Sequence, residues 1–277
     1  MKEIDEDEIK IFIDRIKVIS DYDFSEYSDK SLKRRLTKIL FDNNLDFNTF
    51  LYKIEHNRSF LEKIVKDITV NTTELFRDPP VWNSIRNDIL PLFRNKLPVN
   101  IWHAGCSTGQ EVYSMLILLY ELELFDKSEL YATDINSDVL EIARTGIYKY
   151  HFNLNYLDNF DNVIRKNRTG NNDVEYSKYF MIDETRDLIK MHPFLTEKPV
   201  YKKMDLVRDN NPFPVKYDLI ICRNVIIYFN YELQNKVLKL FHDNLRPGGC
   251  LILGIHETIL GPISEYFEKK YQGYFKK

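Results

Sequence analysis

The sequence predicts an α/β fold with a mainly parallel sheet, preceded by a small all-helical domain. Two observations indicate this. Apolar residues recur at helical spacing through residues 1–70, and no strand-like alternation interrupts them. From about residue 99 onward, short apolar runs typical of strands alternate with longer amphipathic segments typical of helices. Such alternation is typical of βαβ units and therefore of parallel strands.

Four apolar stripes predict four helices in the first domain. Their members are Ile9, Phe12, Ile13 and Ile16; Leu32, Leu36, Ile39 and Leu40; Phe47, Phe50, Leu51 and Ile54; and Phe60, Leu61, Ile64 and Val65. The spacing within each set places its side chains on one helix face. The next segment, 71–80, ends in two prolines, so we expect the last helix to end there and a connector to begin.

The second domain, 81–277, alternates predicted strands and helices. Strands are expected at VNIWHAG, ELYATDI, VYKKMDL, YDLIIC and CLILGI, and helices at EVYSMLILLYEL, SDVLEIARTGI and NYELQNKVLKLFHDNL, the last ending at RPGG. YDLIIC and CLILGI are almost wholly apolar, as expected of strands covered on both faces. Between about 151 and 200 the alternation stops, and the polar, Asn- and Tyr-rich sequence predicts an insertion with at most short strands.

Composition excludes several classes of protein. A hydrophobic content of 44% with 29% charged residues indicates a globular chain, and a net charge of −3 gives no general reason to bind nucleic acid. Cys106, Cys222 and Cys250 lie far apart in apolar runs, which predicts buried thiols and neither a disulfide framework nor a metal site. The charged first residues do not resemble a signal peptide, and no run approaches the roughly 18 apolar residues of a membrane span. We therefore expect a cytoplasmic protein with no membrane insertion.

A glycine-rich turn, GCSTG at 105–109, joins the first strand to its helix. Glycine has no Cβ, so the backbone of such a turn can approach a ligand closely. Asp134 ends the second strand, where a carboxylate is well placed for ribose hydroxyls. The turn is GxxxG and not GxGxxG, which favours a nucleoside ligand without a pyrophosphate, such as S-adenosylmethionine. The alternative is a turn whose glycines serve only tight packing.

Polar residues also follow the YDLIIC strand. Arg223 and Asn224 come directly after it, and Tyr228 comes four residues after Asn224. Ligands of open α/β sheets bind at the carboxyl ends of the strands, so these residues are candidates for the site; a turn or helix cap is the alternative. Glu111, in the first helical turn after GCSTG, either accepts from a ligand amino group or is a carboxylate favoured by the helix N-terminus.

Five segments carry a family resemblance. In their order and spacing, NTTELFRDP, GCSTGQEVYS, TDINSDVLEIARTGIY, CRNVIIYF and LRPGGCLILG resemble the CheR-type chemotaxis receptor methyltransferases, and SLKRRLTKIL and LDFNTFLYKI resemble that family's N-terminal domain. The resemblance implies a Rossmann-like class I methyltransferase domain with a small inserted β-subdomain. It also implies methyl transfer from S-adenosylmethionine, leaving S-adenosylhomocysteine, to glutamate side chains of transmembrane chemoreceptors for sensory adaptation.

The resemblance also implies residue roles. Arg77 and Tyr228 would lie beside the transferred methyl as catalytic residues. Cofactor contacts are implied for Asn71, Thr73, Arg77, Gly105, Ser107, Glu111, Asp134, Asp205, Leu206, Arg223 and Asn224. Within that set Glu111 would bind the methionine amino group and Asp134 the ribose. Asp205 departs from the family's usual Asn and cannot donate a hydrogen bond when ionised. An ion pair of Arg77 with Asp78 or Glu74 is the alternative to its catalytic role.

A basic face is predicted on the second helix. Lys30, Arg34 and Lys38 fall on one side of it, opposite the leucines. The resemblance implies that this face docks to the cytoplasmic helical domain of a chemoreceptor; a merely solvated face is the alternative. In the insertion, MIDETRDLIK lacks the Gly-x-Gly turn of relatives that grip a receptor tail, which favours an enzyme independent of such a tail.

Two other functions remain open on the sequence alone. One is a methyltransferase-like module that binds S-adenosylmethionine without transfer, although the presence of Arg77, Asn224 and Tyr228 speaks against it. The other is a methyltransferase acting on another protein or on RNA. The mild acidity and the absence of a basic stripe make RNA the weaker option.

Overall fold

The computed structural model describes residues 4–20, 22–69, 73–166 and 175–277, without the side chain of Phe152. The chain forms two compact units, each made from two stretches of sequence. The helical unit comprises Met1–Asn71 and Val225–Val237, and the α/β unit comprises Thr72–Asn224 and Leu238–Lys277. None of the helices in the described ranges has the length and apolarity needed to cross a bilayer.

The four predicted helices of the helical unit are confirmed. They are α1 (Glu6–Ile19), α2 (Asp29–Asp42), α3 (Phe47–His56) and α4 (Arg58–Ile68). Asp5, Asp46 and Asn57 cap three of them by accepting a hydrogen bond from the backbone N–H three residues further on, at 2.9–3.0 Å. At α1 the cap is reciprocal, because Glu8 accepts from the Asp5 N–H at 3.0 Å. Local capping therefore fixes where these helices begin.

The core of the helical unit is aromatic at its centre. The Phe12 ring stacks on Phe24 and on Phe50, with centroid distances of 6.1 and 5.8 Å. The apolar stripes of all four helices contribute to this core, with Ile13, Phe47, Leu51 and Phe60 partly buried at its margin. The second stretch of the unit adds a 3₁₀ turn, Ile226–Tyr228, and joins the first through a β-bridge between Tyr27 and Phe229. Nothing in the helical periodicity indicates this pairing.

The α/β unit is built on a seven-stranded sheet, and the predicted fold class is confirmed. The described part of the unit contains ten strands: β1 (Val99–Ala104), β2 (Ser128–Asp134), β3 (Ile147–Lys149), β4 (Phe180–Asp183), β5 (Leu188–Met191), β6 (Val200–Lys203), β7 (Tyr217–Cys222), β8 (Leu245–Leu253), β9 (Phe267–Lys270) and β10 (Gly273–Lys276). The large sheet has the order β6-β2-β1-β7-β8-β10-β9. Its first five strands are parallel, and β10 and β9 add antiparallel pairs.

Six further α-helices lie in the described residues, the first of them before β1 and the other five between strands. They are α5 (Pro79–Ser84), α6 (Gln110–Glu121), α7 (Ser137–Thr145), α8 (Asn155–Phe160), α9 (Pro193–Thr196) and α10 (Tyr231–Asn244). The strand order reverses at β1, where β2 lies on one side and β7 on the other. In such a sheet the ligand crevice lies outside the carboxyl ends of the strands at that point. All three cysteines are buried free thiols, as expected.

The insertion contains the expected small β-sheet. Strands β3, β5 and β4 pair antiparallel in that order. Side chains from this region support the glycine-rich turn, because the Tyr148 hydroxyl donates to the Thr108 carbonyl at 2.7 Å. The Gln110 amide, at the start of α6, donates in turn to the Tyr156 hydroxyl at 2.7 Å. The insertion thus holds the turn in place.

The start of β8 differs from the prediction. RPGG was expected to separate α10 from the last strand, but the strand begins at Leu245 and includes it. The pairing with β7 passes from Tyr217–Leu245 to Leu219–Cys250, so residues 246–249 form an irregularity within the strand. Gly248 has a φ of +69°, which suits glycine in such a bulge. The β9–β10 hairpin was not predicted, because each of its strands has only four residues; β9 forms the edge of the sheet and β10 lies between β8 and β9.

Candidate active site

The turn after β1 is held against the end of β2. The backbone N–H groups of Gly105 and Cys106 both donate to the Thr133 carbonyl, at 2.8 and 2.9 Å. Gly109 has a φ of +90°, and a Cβ there would lie 2.7 Å from the Cβ of Ala143. Glycine is therefore required at 109 both by conformation and by packing. Tight packing, the alternative interpretation of the turn, therefore explains the glycine at 109. The other residues of the turn can still contact a ligand.

Asp134 joins the turn to the second strand. Its Oδ2 accepts from the Ser107 N–H at 2.8 Å, and its Oδ1 accepts from the Asn136 N–H at 2.9 Å. Burial raises the pKa of this carboxyl, and the backbone donors oppose the rise. Each carboxylate oxygen keeps a second lone pair that can accept from a hydroxyl. The Ser107 Oγ is buried beside it and has no hydrogen-bond partner in the part of the chain described.

A buried charge network surrounds Arg223. Its guanidinium, 0% exposed, pairs with Asp78 Oδ2 at 2.6 Å and with Glu111 Oε1. Asp78 belongs to the connector and Glu111 to the first turn of α6, so one arginine joins three separate segments. Burial raises the pKa of Glu111, and the positive charges of Arg223 and Arg77 partly offset this. The arrangement leaves the second Glu111 oxygen for a cationic ligand group.

The turn that follows Arg223 is fixed by Glu257. Asn224 has a φ of +60°, and its N–H donates to Glu257 Oε2 at 2.8 Å. The same oxygen accepts from the Gly254 N–H at 2.7 Å. A Cβ at Gly254 would lie 2.8 Å from this oxygen, so only glycine lets the carboxylate approach. Glu257 is 8% exposed and was not predicted as a site residue. Its signal in the sequence is an acidic residue shortly after an apolar strand.

His103 is a second group that the sequence analysis missed. It lies on β1, is 1% exposed, and its Nε2 has no hydrogen-bond partner among the described residues. Burial, together with the charge of Arg223, lowers its pKa to about 3. The imidazole is therefore neutral and adds no positive charge beside Arg223.

Other predicted cofactor contacts gather at the same strand ends. The Met204 N–H donates to the Asp134 carbonyl at 3.0 Å, which places Asp205 and Leu206 just beyond β6 and beside β2. Asp205 Oδ1 accepts from the Val207 N–H at 2.8 Å, so this carboxylate also shapes its own turn. Leu206 is buried and Asp205 is half-buried.

The connector is anchored to α6. The Phe76 N–H donates to Ser114 Oγ at 2.7 Å, and the Leu75 carbonyl accepts from the Asn159 amide at 3.1 Å. Leu75 and Phe76 are fully buried. Thr73 and Arg77, on either side of this anchor, are half-buried. Asn71, the remaining predicted contact of the connector, lies outside the described residues.

The other predicted residues belong to the helical unit. Tyr228 ends the 3₁₀ turn and is half-buried. Lys30, Arg34 and Lys38 are exposed on α2, and the Lys38 ammonium lies 3.0 Å from the Asp42 carboxylate. The exposure agrees with a face available to a partner, and the docking role stays a prediction.

The polar groups of the α/β unit fit S-adenosylmethionine. Three buried side-chain atoms at the strand ends have no protein partner in the ranges described: Ser107 Oγ, Arg223 Nε and Asn224 Oδ1. Buried polar atoms are normally paired, so unpaired ones at the crevice of a sheet indicate a ligand. Glu111 and Asp134 add carboxylate oxygens with lone pairs that can accept further hydrogen bonds. Among the described residues, no group of three His, Cys, Asp or Glu side chains could hold a metal ion.

Known proteins match this chain over most of its length. The description "CheR methyltransferase, SAM binding domain" fits residues 71–273. A Pseudomonas putida protein named as a methyltransferase, Cher3, is 34% identical over 98% of this chain and 96% of its own length. The chemotaxis protein methyltransferase of Borreliella burgdorferi is 31% identical over 86% of this chain and 83% of its own. That of Vibrio parahaemolyticus is 31% identical over 76% and 73%.

The solved structure of a TehB-like methyltransferase from Corynebacterium glutamicum matches 70% of this chain and 85% of its own at 11% identity, with a TM-score of 0.38. The sheet, the glycine-rich turn and the unpaired polar groups agree with the family match. This chain belongs to the CheR methyltransferase family and is an S-adenosylmethionine-dependent methyltransferase.

Proposed function

We propose that the protein transfers a methyl group from S-adenosylmethionine to glutamate side chains of methyl-accepting chemotaxis receptors, forming glutamyl methyl esters. The observation that carries the proposal is the family match across 71–273, joined to relatives named as chemotaxis protein methyltransferases. The partners would be the cytoplasmic helical domains of transmembrane chemoreceptors, so the enzyme would act in the cytoplasm.

The α/β unit would hold the cofactor. We assign the amino group of its methionine part to Glu111 and the ribose hydroxyls to Asp134, since Glu111 is half-buried, Asp134 is buried, and each carboxylate has acceptor capacity left over. Asn224 Oδ1 and Arg223 Nε would complete the polar contacts. Asn71, Thr73 and Arg77 of the connector and Asp205 and Leu206 after β6 complete the proposed set, with Gly105 and Ser107 lining the turn.

The proposed reaction depends on the positioning of the acceptor carboxylate more than on proton transfer. S-adenosylmethionine supplies a methyl group already activated on a sulfonium. A glutamate acceptor is ionised near neutral pH, so no general base is needed. What remains for the protein is to orient the acceptor oxygen and exclude water, and positioning can supply up to about 7–11 kcal/mol in the best cases.

Arg77 and Tyr228 are the proposed catalytic residues. A guanidinium offers a planar fork of donors suited to a carboxylate, and the tyrosine hydroxyl offers one more. We propose that they hold the acceptor glutamate by one oxygen and leave the other to attack. The variants Arg77→Ala and Tyr228→Phe should both show much slower methyl transfer with measurable residual activity, and full activity in both would exclude this role.

Docking is assigned to the helical unit. The proposed division is a helical domain over 1–70, a connector over 71–80 that contributes to the site, and a methyltransferase domain over 81–277 with its insertion at about 151–200. The exposed Lys30, Arg34 and Lys38 face would meet an acidic stretch of the receptor. The double variant Arg34→Glu/Lys38→Glu should lower receptor methylation without changing the affinity for S-adenosylhomocysteine. Glu substitutions at exposed Lys10 and Lys63 provide a matched control of equal charge change.

The test of the whole proposal is transfer of label from S-adenosyl-[methyl-³H]methionine to membranes rich in chemoreceptors. Label that is released as methanol by mild base identifies a carboxyl ester. Base-stable label would mean that another kind of group is methylated. Cofactor binding without any label transfer would favour a module that binds S-adenosylmethionine only.

A further inference from the structure

The segment that carries Tyr228 is tied to the start of α2. The Ser28 N–H donates to the Tyr228 carbonyl at 2.8 Å, and the Asn230 N–H donates to the Glu26 carbonyl at 2.9 Å. These two hydrogen bonds flank the antiparallel bridge between Tyr27 and Phe229. Ser28 is also the N-cap residue of α2. The backbone of Tyr228 is therefore held by the residue from which the basic helix begins.

Side-chain packing strengthens this pairing. The rings of Tyr27 and Phe229 meet edge to face with their centroids 5.4 Å apart, and Phe229 is 5% exposed. Tyr27 meets Phe24 in the same manner at 4.9 Å, and Phe24 stacks on Phe12. A continuous row of aromatic contacts thus connects Phe229 to the core of the helical unit. Such pairs add about 0.5–1.5 kcal/mol each beyond the area they bury.

The chain changes units just before Tyr228. Asn224 is the last residue of the α/β unit before the change, and Val225 begins the second stretch of the helical unit. Arg223 and Asn224, four or five residues earlier, are held by Glu111, Asp78 and Glu257 within the α/β unit. Neighbouring residues of one short segment therefore take their positions from different units.

We infer that the bridge of Tyr27 and Ser28 with Tyr228 and Phe229 is a positioning element, which fixes the acceptor-holding tyrosine to the unit that bears the proposed receptor-docking face. The inference rests on the proposed function, in which Tyr228 holds the acceptor glutamate. Its consequence is a division of labour. Loosening the bridge harms the transfer step and leaves cofactor binding intact.

Ser28→Pro is a selective perturbation of the bridge. Ser28 has a φ of −62°, which proline adopts without strain, and its side chain makes no capping hydrogen bond. Tyr27, before it, is paired in an antiparallel bridge, and such pairing suits the extended region that a residue preceding proline prefers. The substitution therefore removes the N–H that donates to Tyr228 and little else. Ser28→Ala keeps that N–H and is the matched control.

The assay compares kcat for methylation of chemoreceptor-rich membranes with the Kd for S-adenosylhomocysteine. Ser28→Pro should lower kcat about twofold to tenfold, the range that corresponds to one backbone hydrogen bond, with Kd unchanged. In a Tyr228→Phe background the same substitution should have little further effect, because it acts through Tyr228. A merely structural role would lower stability and activity equally in both backgrounds.

Phe229→Leu is a second variant, which keeps an apolar side chain but loses the ring contact with Tyr27; it should give the same change in kcat with unchanged Kd. It decides the matter if Ser28→Pro proves too unstable to assay. Equal kcat for Ser28→Pro, Phe229→Leu and the wild type overturns the inference. No labelling of the membranes by the wild type overturns the proposed function instead, and a rise in Kd in either variant contradicts the division of labour.

Discussion

Glu257→Gln removes the charge from the carboxylate that holds the Asn224 turn while keeping its size. In the wild type a single oxygen, Oε2, accepts from the Asn224 and Gly254 N–H groups at 2.8 and 2.7 Å. Asn224 has a positive φ, so its backbone needs such support. The substitution should let the turn relax and carry Arg223 and Asn224 away from the positions in which we propose that they contact the cofactor.

The magnitude follows from the two hydrogen bonds. A bond to a charged group contributes about 1.5–3 kcal/mol and a neutral one about 0.5–1.5 kcal/mol, so each bond loses about 1–1.5 kcal/mol. The pair therefore accounts for about 2–3 kcal/mol. If all of this free energy is lost from the complex with S-adenosylhomocysteine, the Kd for S-adenosylhomocysteine rises on the order of 30-fold to 150-fold, at 1.36 kcal/mol for each factor of ten. The Glu257 charge also raises the pKa of Glu111, so that pKa should fall in the variant.

Calorimetric titration with S-adenosylhomocysteine measures the change directly, and urea denaturation shows how much of it is lost stability. Glu265→Gln is the matched control, since Glu265 is exposed in the same C-terminal stretch and loses the same charge. A Kd for Glu257→Gln within twofold of the control would refute the reasoning, because the turn would then hold its shape without the carboxylate.

Two further predictions concern the turn after β1 and the buried acid. Gly109→Ala should lower the free energy of unfolding by about 1–2 kcal/mol through backbone strain and by about 1–3 kcal/mol more through overpacking against Ala143. Gly248 also has a positive φ but has open space around it, so Gly248→Ala should cost only the strain. Urea denaturation measures both losses, and equal losses would contradict the packing argument. Burial raises the pKa of Glu111, and a bound ammonium group favours its ionised form, so the affinity for S-adenosylhomocysteine should rise with pH as this carboxyl ionises, with proton release on binding below its pKa. Glu111→Gln should bind weakly without that pH dependence, and titration in two buffers of different ionisation enthalpy tests this. In the free protein the sign is opposite: the raised pKa values of Glu111 and Asp134 stabilise the fold at low pH, and this contribution is lost as pH rises through them.

Periodicity was enough to predict most of the fold. The stripes of α1 to α4 and the apolar runs of β1, β2, β7 and β8 are strong local signals, and each gave the correct element. The C-terminal hairpin was not predicted because β9 and β10 have only four residues each, too few for an apolar alternation to stand out from a loop. The predicted start of the last strand was wrong because proline and two glycines usually end a helix or strand. Here RPGG lies within β8, and Gly248 forms part of a bulge.

The sequence could indicate candidate site residues that follow strand ends. It could not indicate residues whose contacts are with side chains far away in the sequence. Asp134 ends β2 and Arg223 follows β7, the strands on either side of β1, and topology alone brings the carboxyl ends of these strands to one edge of the sheet. Asp78 and Glu257 were missed as site residues because their partner Arg223 or Asn224 lies more than thirty residues away, so no spacing rule connects them. His103 resembles any other residue of an apolar strand until the charge beside it is known.

The interleaved make-up of the two units bears on how the chain folds during synthesis. The helical unit needs Val225–Val237 as well as its first stretch, so it cannot be finished when only the first 71 residues have left the ribosome. Tyr27 then has no Phe229 to cover it until the nascent chain is more than three times longer. We therefore expect the two interleaved units to complete their folding together, late in translation. Neither unit corresponds to one uninterrupted segment of the chain.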